Sequence, residues 1–387
     1  PQPATVAAAW KKSDQKYTPC HNTAQIAMVV VELLRFRHVE SLIFLIPPKR
    51  TSCQLRTPLM LLRTLITGIL WLNVCVLICP AGQPSAETRQ FIAADSSKQK
   101  VALIAADGQT IWQHRIGPLH DLHVLPDGHV LMQLNWTEVV EIVPGTGEIV
   151  WRYDAAKQPA NQGVRIEIHA FQRLPDGATM VAESGPARLI ELTPDLQVRR
   201  TIPLQVAKPD PHHDTRLVRH LASGNYLVCH ETEGLVREYR PNGTTAWEYQ
   251  VPLFGRERRP GHGVDAFGNQ VFSALRLPGG NTLIGTGNGH SVLEVTPAGQ
   301  VVWSLHQNDL PGIQLAWVTS LQVLPSGNLL INNCHAGPDN PQLIEVSRDK
   351  KVVWSFRDFE RFGDSLTNSV ILQVNGKSVL GAPPASK

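Results

Sequence analysis

Apolar and polar positions alternate along the chain from about residue 90 to residue 376. Alternation with period two marks half-buried β-strands. One phrase recurs: an alternating strand, a Leu-Pro-x-Gly turn, then a second strand. It reads "HDLHVLPDGHVLM", "IHAFQRLPDGATMV", "TRLVRHLASGNYLV", "FSALRLPGGNTLI" and "VTSLQVLPSGNLLI". Its leucines, Leu125, Leu174, Leu221, Leu277 and Leu324, are spaced by 49, 47, 56 and 47 residues. A second phrase follows each first one: apolar-Glu-apolar, a turn, then a strand ending in tryptophan. "VEIVPGTGEIVW", "IELTPDLQVRR", "REYRPNGTTAW", "LEVTPAGQVVW" and "IEVSRDKKVVW" are its copies. Trp151, Trp247, Trp303 and Trp354 share one slot, and Arg200 takes it in the second repeat.

Each unit therefore carries four short strands within about 40–50 residues, the signature of a β-propeller blade. The ends complete the ring. "AADGQTIW" (Ala105–Trp112) is a second phrase without its first, and "NSVILQVNG" (Asn368–Gly376) is a first phrase without its second. Joined, they make a sixth blade that removes two unpaired sheet edges. The fold expected is an all-β, six-bladed β-propeller with four antiparallel strands per blade, over residues 87–376, followed by a tail at 377–387. The recurring tryptophans are expected to pack between neighbouring sheets.

Composition narrows the class. A net charge of +3 over 387 residues, with 18% charged side chains and no long Lys/Arg run, gives no nucleic-acid surface. Residues 1–59 are unlike the rest and read as an over-extended start or a leader. Met60, Arg63 and the apolar run Leu65–Ile78, followed by small residues and prolines, have the layout of a secretory signal at 60–86. Cleavage near Ala81 or Ala86 fits. The alternative is a genuine leader in which Leu65–Ile78 is a buried helix or membrane anchor. With the signal removed, the chain is expected to be exported, periplasmic or extracellular, without a membrane span. Only Cys229 and Cys334 then remain, and their blade positions predict free thiols.

Chemistry is expected at one end. The Leu-Pro-x-Gly turns lie on one face, while the second-to-third-strand loops and the long blade-to-blade links share the other. Long loops on one end of a rigid scaffold carry function. His120, His169, His212, His213 and His262 precede or start inner strands. His230, His290 and His335 lie in second-to-third-strand loops, and Trp317 closes the link "HQNDLPGIQLAW". Adjacent His212 and His213 point to opposite sides in an extended segment, so at most one looks into the channel. No HExxH, CxxC or HxH motif is present. A metal site, zinc or calcium, needs histidines from several blades, such as His169, His213 and His335. Hydrogen-bonded polar side chains in a wet channel mouth are the alternative. Arg216 can hold an anionic group. The glycine-rich "GTGNGHS" joins two strands and lacks the helix that a phosphate loop requires.

"PHHDTRLVRHLASGNYLV" and "WVTSLQVLPSGNLLI…QLIEVSRDKKVVW" resemble the repeats of bacterial arylsulfotransferase-like propellers. "PGTGEIVWRYD" resembles blades of pyrroloquinoline-quinone-like propellers. The first resemblance implies histidine-mediated sulfuryl transfer, with His213, His169, His335 and Arg216 as candidates. The second implies a quinone cofactor, disfavoured by six blades and the lack of adjacent cysteines. The leading expectation is a propeller that binds a small molecule or protein at its histidine-rich mouth without a cofactor. His120, His230, His262, His290, Asp214 and Trp317 are the candidate contacts. An enzyme at the same mouth, by sulfuryl transfer or zinc-dependent lyase or hydrolase chemistry, is the alternative.

Overall fold

The computed structural model describes residues 87–381. The expected leader and signal segment lie outside the described residues. Six antiparallel sheets form the ring. Blade 1 is Leu122–Val124, Val130–Gln133, Glu138–Val143 and Glu148–Asp154. Blades 2 to 5 repeat the order with inner strands Glu167–Arg173, Val218–His220, Ser273–Arg276 and Trp317–Val323. Blade 6 joins the C-terminal inner strand Leu366–Val374 to Arg89–Asp95, Lys100–Ile104 and Thr110–Arg115. The ring thus closes through a shared blade, as the two half-phrases require. A short fifth strand, Lys377–Ser378, pairs with Gln373–Val374 inside the segment expected as tail.

Alternation explains why both faces of each sheet are buried. On the second strand of blade 1, Leu131 packs with Ile168, Phe171 and Val181 of blade 2. Its neighbour Met132 packs with Ile92 and Val101 of blade 6. Leu227 and Val228, Leu283 and Ile284, and Leu330 and Ile331 divide in the same way. Consecutive side chains of a strand point to opposite faces, so each sheet contributes to two inter-blade cores. Burying one such Leu, Ile or Val contributes about 1.5–3 kcal/mol.

The first turn is equally regular. Gly128, Gly177, Gly224, Gly280 and Gly327 all have φ between +83° and +90°. Side chains rarely adopt that region, which explains the glycine at this place in the phrase. The third copy, with Ala222 in the proline's place, still forms the Gly224 N–H to Leu221 O bond of 2.9 Å.

The second phrase makes the seams. Its glutamate lies directly across from the tryptophan slot: Glu141–Trp151, Glu238–Trp247, Glu294–Trp303 and Glu345–Trp354. An arginine of the next blade reaches back to it. Arg173 meets Glu141 at 2.6 Å and Arg276 meets Glu238 at 2.5 Å. Arg348 pairs with Glu294, and Arg89 meets Glu345 at 2.7 Å. Three of these guanidinium groups also cover the tryptophan ring, at 4.9, 4.8 and 4.5 Å from its centroid. The tryptophans therefore do pack between blades, as part of a Glu–Arg–Trp unit. In blade 2, Glu191 instead bonds Arg199 of its own blade (2.9 Å) and the Tyr226 hydroxyl of blade 3.

Inside the ring, Asp121 of blade 1 and Arg219 of blade 3 form a bidentate pair across the channel, at 2.8 and 3.0 Å. Burial opposes the charge on Asp121. Arg219 and His123 nevertheless hold its carboxyl well below the usual carboxylate range. Among the described residues, no helix is long and apolar enough to cross a membrane.

Candidate functional site

At the loop end a cavity of about 160 Å³ is lined by His120, His212, His262 and His335. Trp136, Phe272 and Trp317 form its aromatic walls, and Arg216, Thr319 and Cys334 also face it. Five blades or their links supply these side chains, and blade 6 adds Thr367.

One wall is a stacked histidine cluster. His120 Nδ1 and His169 Nδ1 are 2.6 Å apart, with ring centroids at 4.7 Å. Trp136 packs on His120, His169 and His212 with centroids 4.9 to 5.1 Å away. His212 Nδ1 donates to Glu167 Oε2 at 2.6 Å, and His169 Nε2 donates to the Pro211 carbonyl at 3.0 Å. Glu167 and His169 sit two apart on one strand, so both side chains face the same way. Burial works against the Glu167 charge, but the hydrogen bonds from His169 and His212 hold its pKa down at about 2. Burial pushes His169 down to about 4 and His120 well below its ordinary value, with the Arg216 charge adding to both. His212 is lowered by burial, against the pull of Glu167. Burial thus favours the uncharged form of all three rings.

The opposite wall is His262, His335 and Trp317. His262 stacks obliquely on Trp317 and His335, at 4.5 and 5.1 Å between centroids. Desolvation lowers both histidines. The Arg216 charge adds to the shift of His262, and His262 itself adds to that of His335. His335 is held at φ +58°, a region unfavourable for a side chain with a Cβ. Its amide is fixed by the Asp364 carbonyl at 2.7 Å. Beside it, burial pushes the Cys334 thiol well above its ordinary value, so it stays protonated. Cys229 and Cys334 are both free and buried.

Arg216 is buried between the walls. It pairs with Glu231 and donates to the His212 carbonyl, but its Nε has no hydrogen-bond partner. Thr319 Oγ1, buried on the same cavity, has none either.

The remaining sequence candidates divide clearly. His213 turns outward: its side chain is 47% exposed and bonds Asp210 at 3.0 Å. Of the adjacent pair, His212 faces the cavity. The grouping of His169, His213 and His335 is accordingly replaced. Ligand-type atoms lie within 4.8 Å of one another in Glu167, His169 and His212. His230 is buried between the Asp214 carbonyl (3.2 Å) and the Tyr239 hydroxyl (2.9 Å), and burial lowers it to about 4. His290 is buried between the carbonyls of Ala316 and Ala266. Asp214 accepts from the Gly185 amide at 2.8 Å and from Thr215. These three residues hold loops together and do not line the cavity. Gly287 of the "GTGNGHS" loop lies against the Gln270 carbonyl, where a Cβ would fall 2.0 Å away. Its glycines thus serve close loop packing.

Sequence reasoning missed Trp136, Glu167, Phe272 and Glu231. Two of them had a signal. Trp136 is a tryptophan outside the repeating slot, and Glu167 stands two before His169 in an alternating strand. A second group of ligand-type atoms, Asp127, His129 and Glu141, lies at a blade 1 turn. There Glu141 is already held by Arg173 and His129.

A regular frame bearing an irregular polar mouth defines the class: a six-bladed propeller with a histidine cluster at its loop end. The family described as outer membrane protein assembly factor BamB matches residues 97–356, and the chain belongs to that family. A structure of a protein of unknown function from Bacteroides caccae is similar over 72% of this chain and 97% of its own, at 24% identity and TM-score 0.60. A streptogramin B lyase matches 71% of this chain and 83% of its own, at 10% identity and TM-score 0.48. Virginiamycin B lyase from Staphylococcus aureus matches 71% and 86%, at 12% and 0.46. The likeness to the Bacteroides caccae protein shows the fold alone. No match was found among curated proteins.

Proposed function

We propose that the protein is an exported propeller that binds a small, partly aromatic ligand in its mouth cavity. The observation that carries this reading is the cavity itself, walled by three aromatic side chains and lined by four histidines and the buried Arg216. Trp136, Phe272 and Trp317 then stack on the ligand's apolar part. Export is supported by the signal-like segment at 60–86 and by a family named for outer membrane protein assembly. Neither a nucleic acid nor a membrane fits this narrow, aromatic mouth. The test is a ligand screen by thermal shift, followed by calorimetry on the hits. Trp136→Ala and Trp317→Ala are expected to weaken binding at least tenfold without lowering the unfolding midpoint. Hits whose affinity ignores both substitutions would place binding elsewhere and end this reading.

The Glu167–His212 pair favours a second reading, an enzyme at the same mouth. A carboxylate that fixes one imidazole nitrogen leaves the other as a base, nucleophile or metal ligand. For arylsulfotransferase-like transfer the candidate histidine becomes His212, since His213 is turned to solvent. An aryl sulfate donor that loses no sulfuryl group to a phenol in the presence of the protein removes that version.

A further inference from the structure

We propose that the mouth holds a divalent transition-metal ion of the zinc type, bound by Nε2 of His120 and Nε2 of His212. The hydrogen bonds fix which nitrogens are free. Glu167 accepts only, so the proton of His212 is on Nδ1, 2.6 Å from the carboxylate. The Pro211 carbonyl also accepts only, so the proton of His169 is on Nε2. His169 Nδ1 must then accept, and His120 Nδ1, 2.6 Å away, donates to it. Both His120 and His212 are left with a bare Nε2, and neither Nε2 has a partner among the described residues. Metal-binding imidazoles use this arrangement, donating their other ring N–H to a carboxylate or other acceptor.

Spacing and charge bear on this. The two ring centroids are 6.2 Å apart. Two imidazoles on one ion, with bonds of about 2.0–2.1 Å, place their centroids roughly 5–6 Å apart, so binding the ion draws the two rings together by up to about 1 Å. Glu167, Asp214 and Glu231 are buried around the single buried cation Arg216. A dication offsets the surplus carboxylates, which are costly when uncompensated. His262 and His335 on the facing wall have no ring hydrogen bond among the described residues. They line the same cavity, and the remaining position is left to the organic ligand. The ion rests on the same cavity as the proposed ligand site but not on that ligand.

The test is a calorimetric titration of chelator-treated protein with zinc chloride, and with cobalt(II) for its visible absorption. One ion per chain is expected. His120→Ala and His212→Ala should each weaken binding at least 100-fold and abolish the cobalt band. Glu167→Gln should weaken it about 10–100-fold through loss of its orienting charge. His220→Ala, at the opposite end, should change nothing. Unfolding midpoints exclude misfolded variants, and the milder His212→Gln replaces any that fails. No saturable uptake by the wild type, or equal uptake by the His120→Ala/His212→Ala double variant, overturns the proposal. Ligand binding that persists in metal-free protein, still sensitive to Trp136 and Trp317, would then leave the ligand-site reading standing alone.

Discussion

The seams and the mouth of this propeller are built on opposite rules. At the seams one unit, Glu–Arg–Trp, appears with the same register in blade after blade. At the mouth almost nothing repeats. His120 comes from a link, His212 from a turn, His335 from a strained loop and Trp136 from a second-to-third-strand loop. Repetition at the seam follows from a shared physical task, joining one sheet to the next. The proposed ligand site has no such symmetry, so it draws unlike residues from unlike positions. On a scaffold of this kind, departure from the repeat is itself the functional signal.

The largest expected effect tests the seam. Arg89 and Glu345 are both nearly inaccessible and meet at 2.7 Å. Glu345→Gln leaves the guanidinium buried with only the exposed Glu87 as a charged partner. Removing one member of a buried pair costs about 3–5 kcal/mol. Denaturant unfolding should show that loss, while zinc and ligand affinities at the mouth stay unchanged. A seam variant that altered mouth binding at constant stability would blur the division of labour.

A somewhat smaller effect separates structural histidines from cavity histidines. Burial lowers His230 to about 4. The unfolded chain protonates it nearer 6.5, so it binds protons before the folded chain does. Stability is therefore complete above about pH 6.5 and falls as pH drops towards 4. The fall is worth roughly 3 kcal/mol for a fully buried ring. Unfolding midpoints from pH 7 to pH 4 measure it, and His230→Gln should flatten that part of the profile. An unchanged profile in the variant would show that His230 does not anchor its loop.

How much of this was legible follows from the same contrast. The blades could be read because strand period, turn glycine and tryptophan slot are each local features repeated several times. The shared sixth blade could be read because each terminus carries half of the phrase. The mouth could be located, since loop lengths sort the two ends. Its membership could not be read residue by residue. His212 and His213 have the same sequence surroundings. Their division is decided by Glu167, 45 residues earlier, and by Asp210, three residues before His213. His230 and His290 satisfy the same sequence criterion as His335, yet backbone carbonyls from neighbouring segments absorb their ring nitrogens.

The smallest effect on stability is the sharpest test of the comparison, because it asks for a change in binding alone. His335 sits on the cavity at φ +58°. A side chain in that region is strained by about 1–2 kcal/mol, whereas glycine adopts it freely at an entropic cost of about 0.5–1 kcal/mol. His335→Gly should therefore leave stability unchanged or raise it by up to about 1 kcal/mol. It also removes an imidazole from the wall opposite His212, so ligand affinity should fall. A histidine kept for packing would show the reverse, lost stability with binding intact. Strain retained at a cavity wall, where glycine is the easier residue, is what a position held for binding predicts.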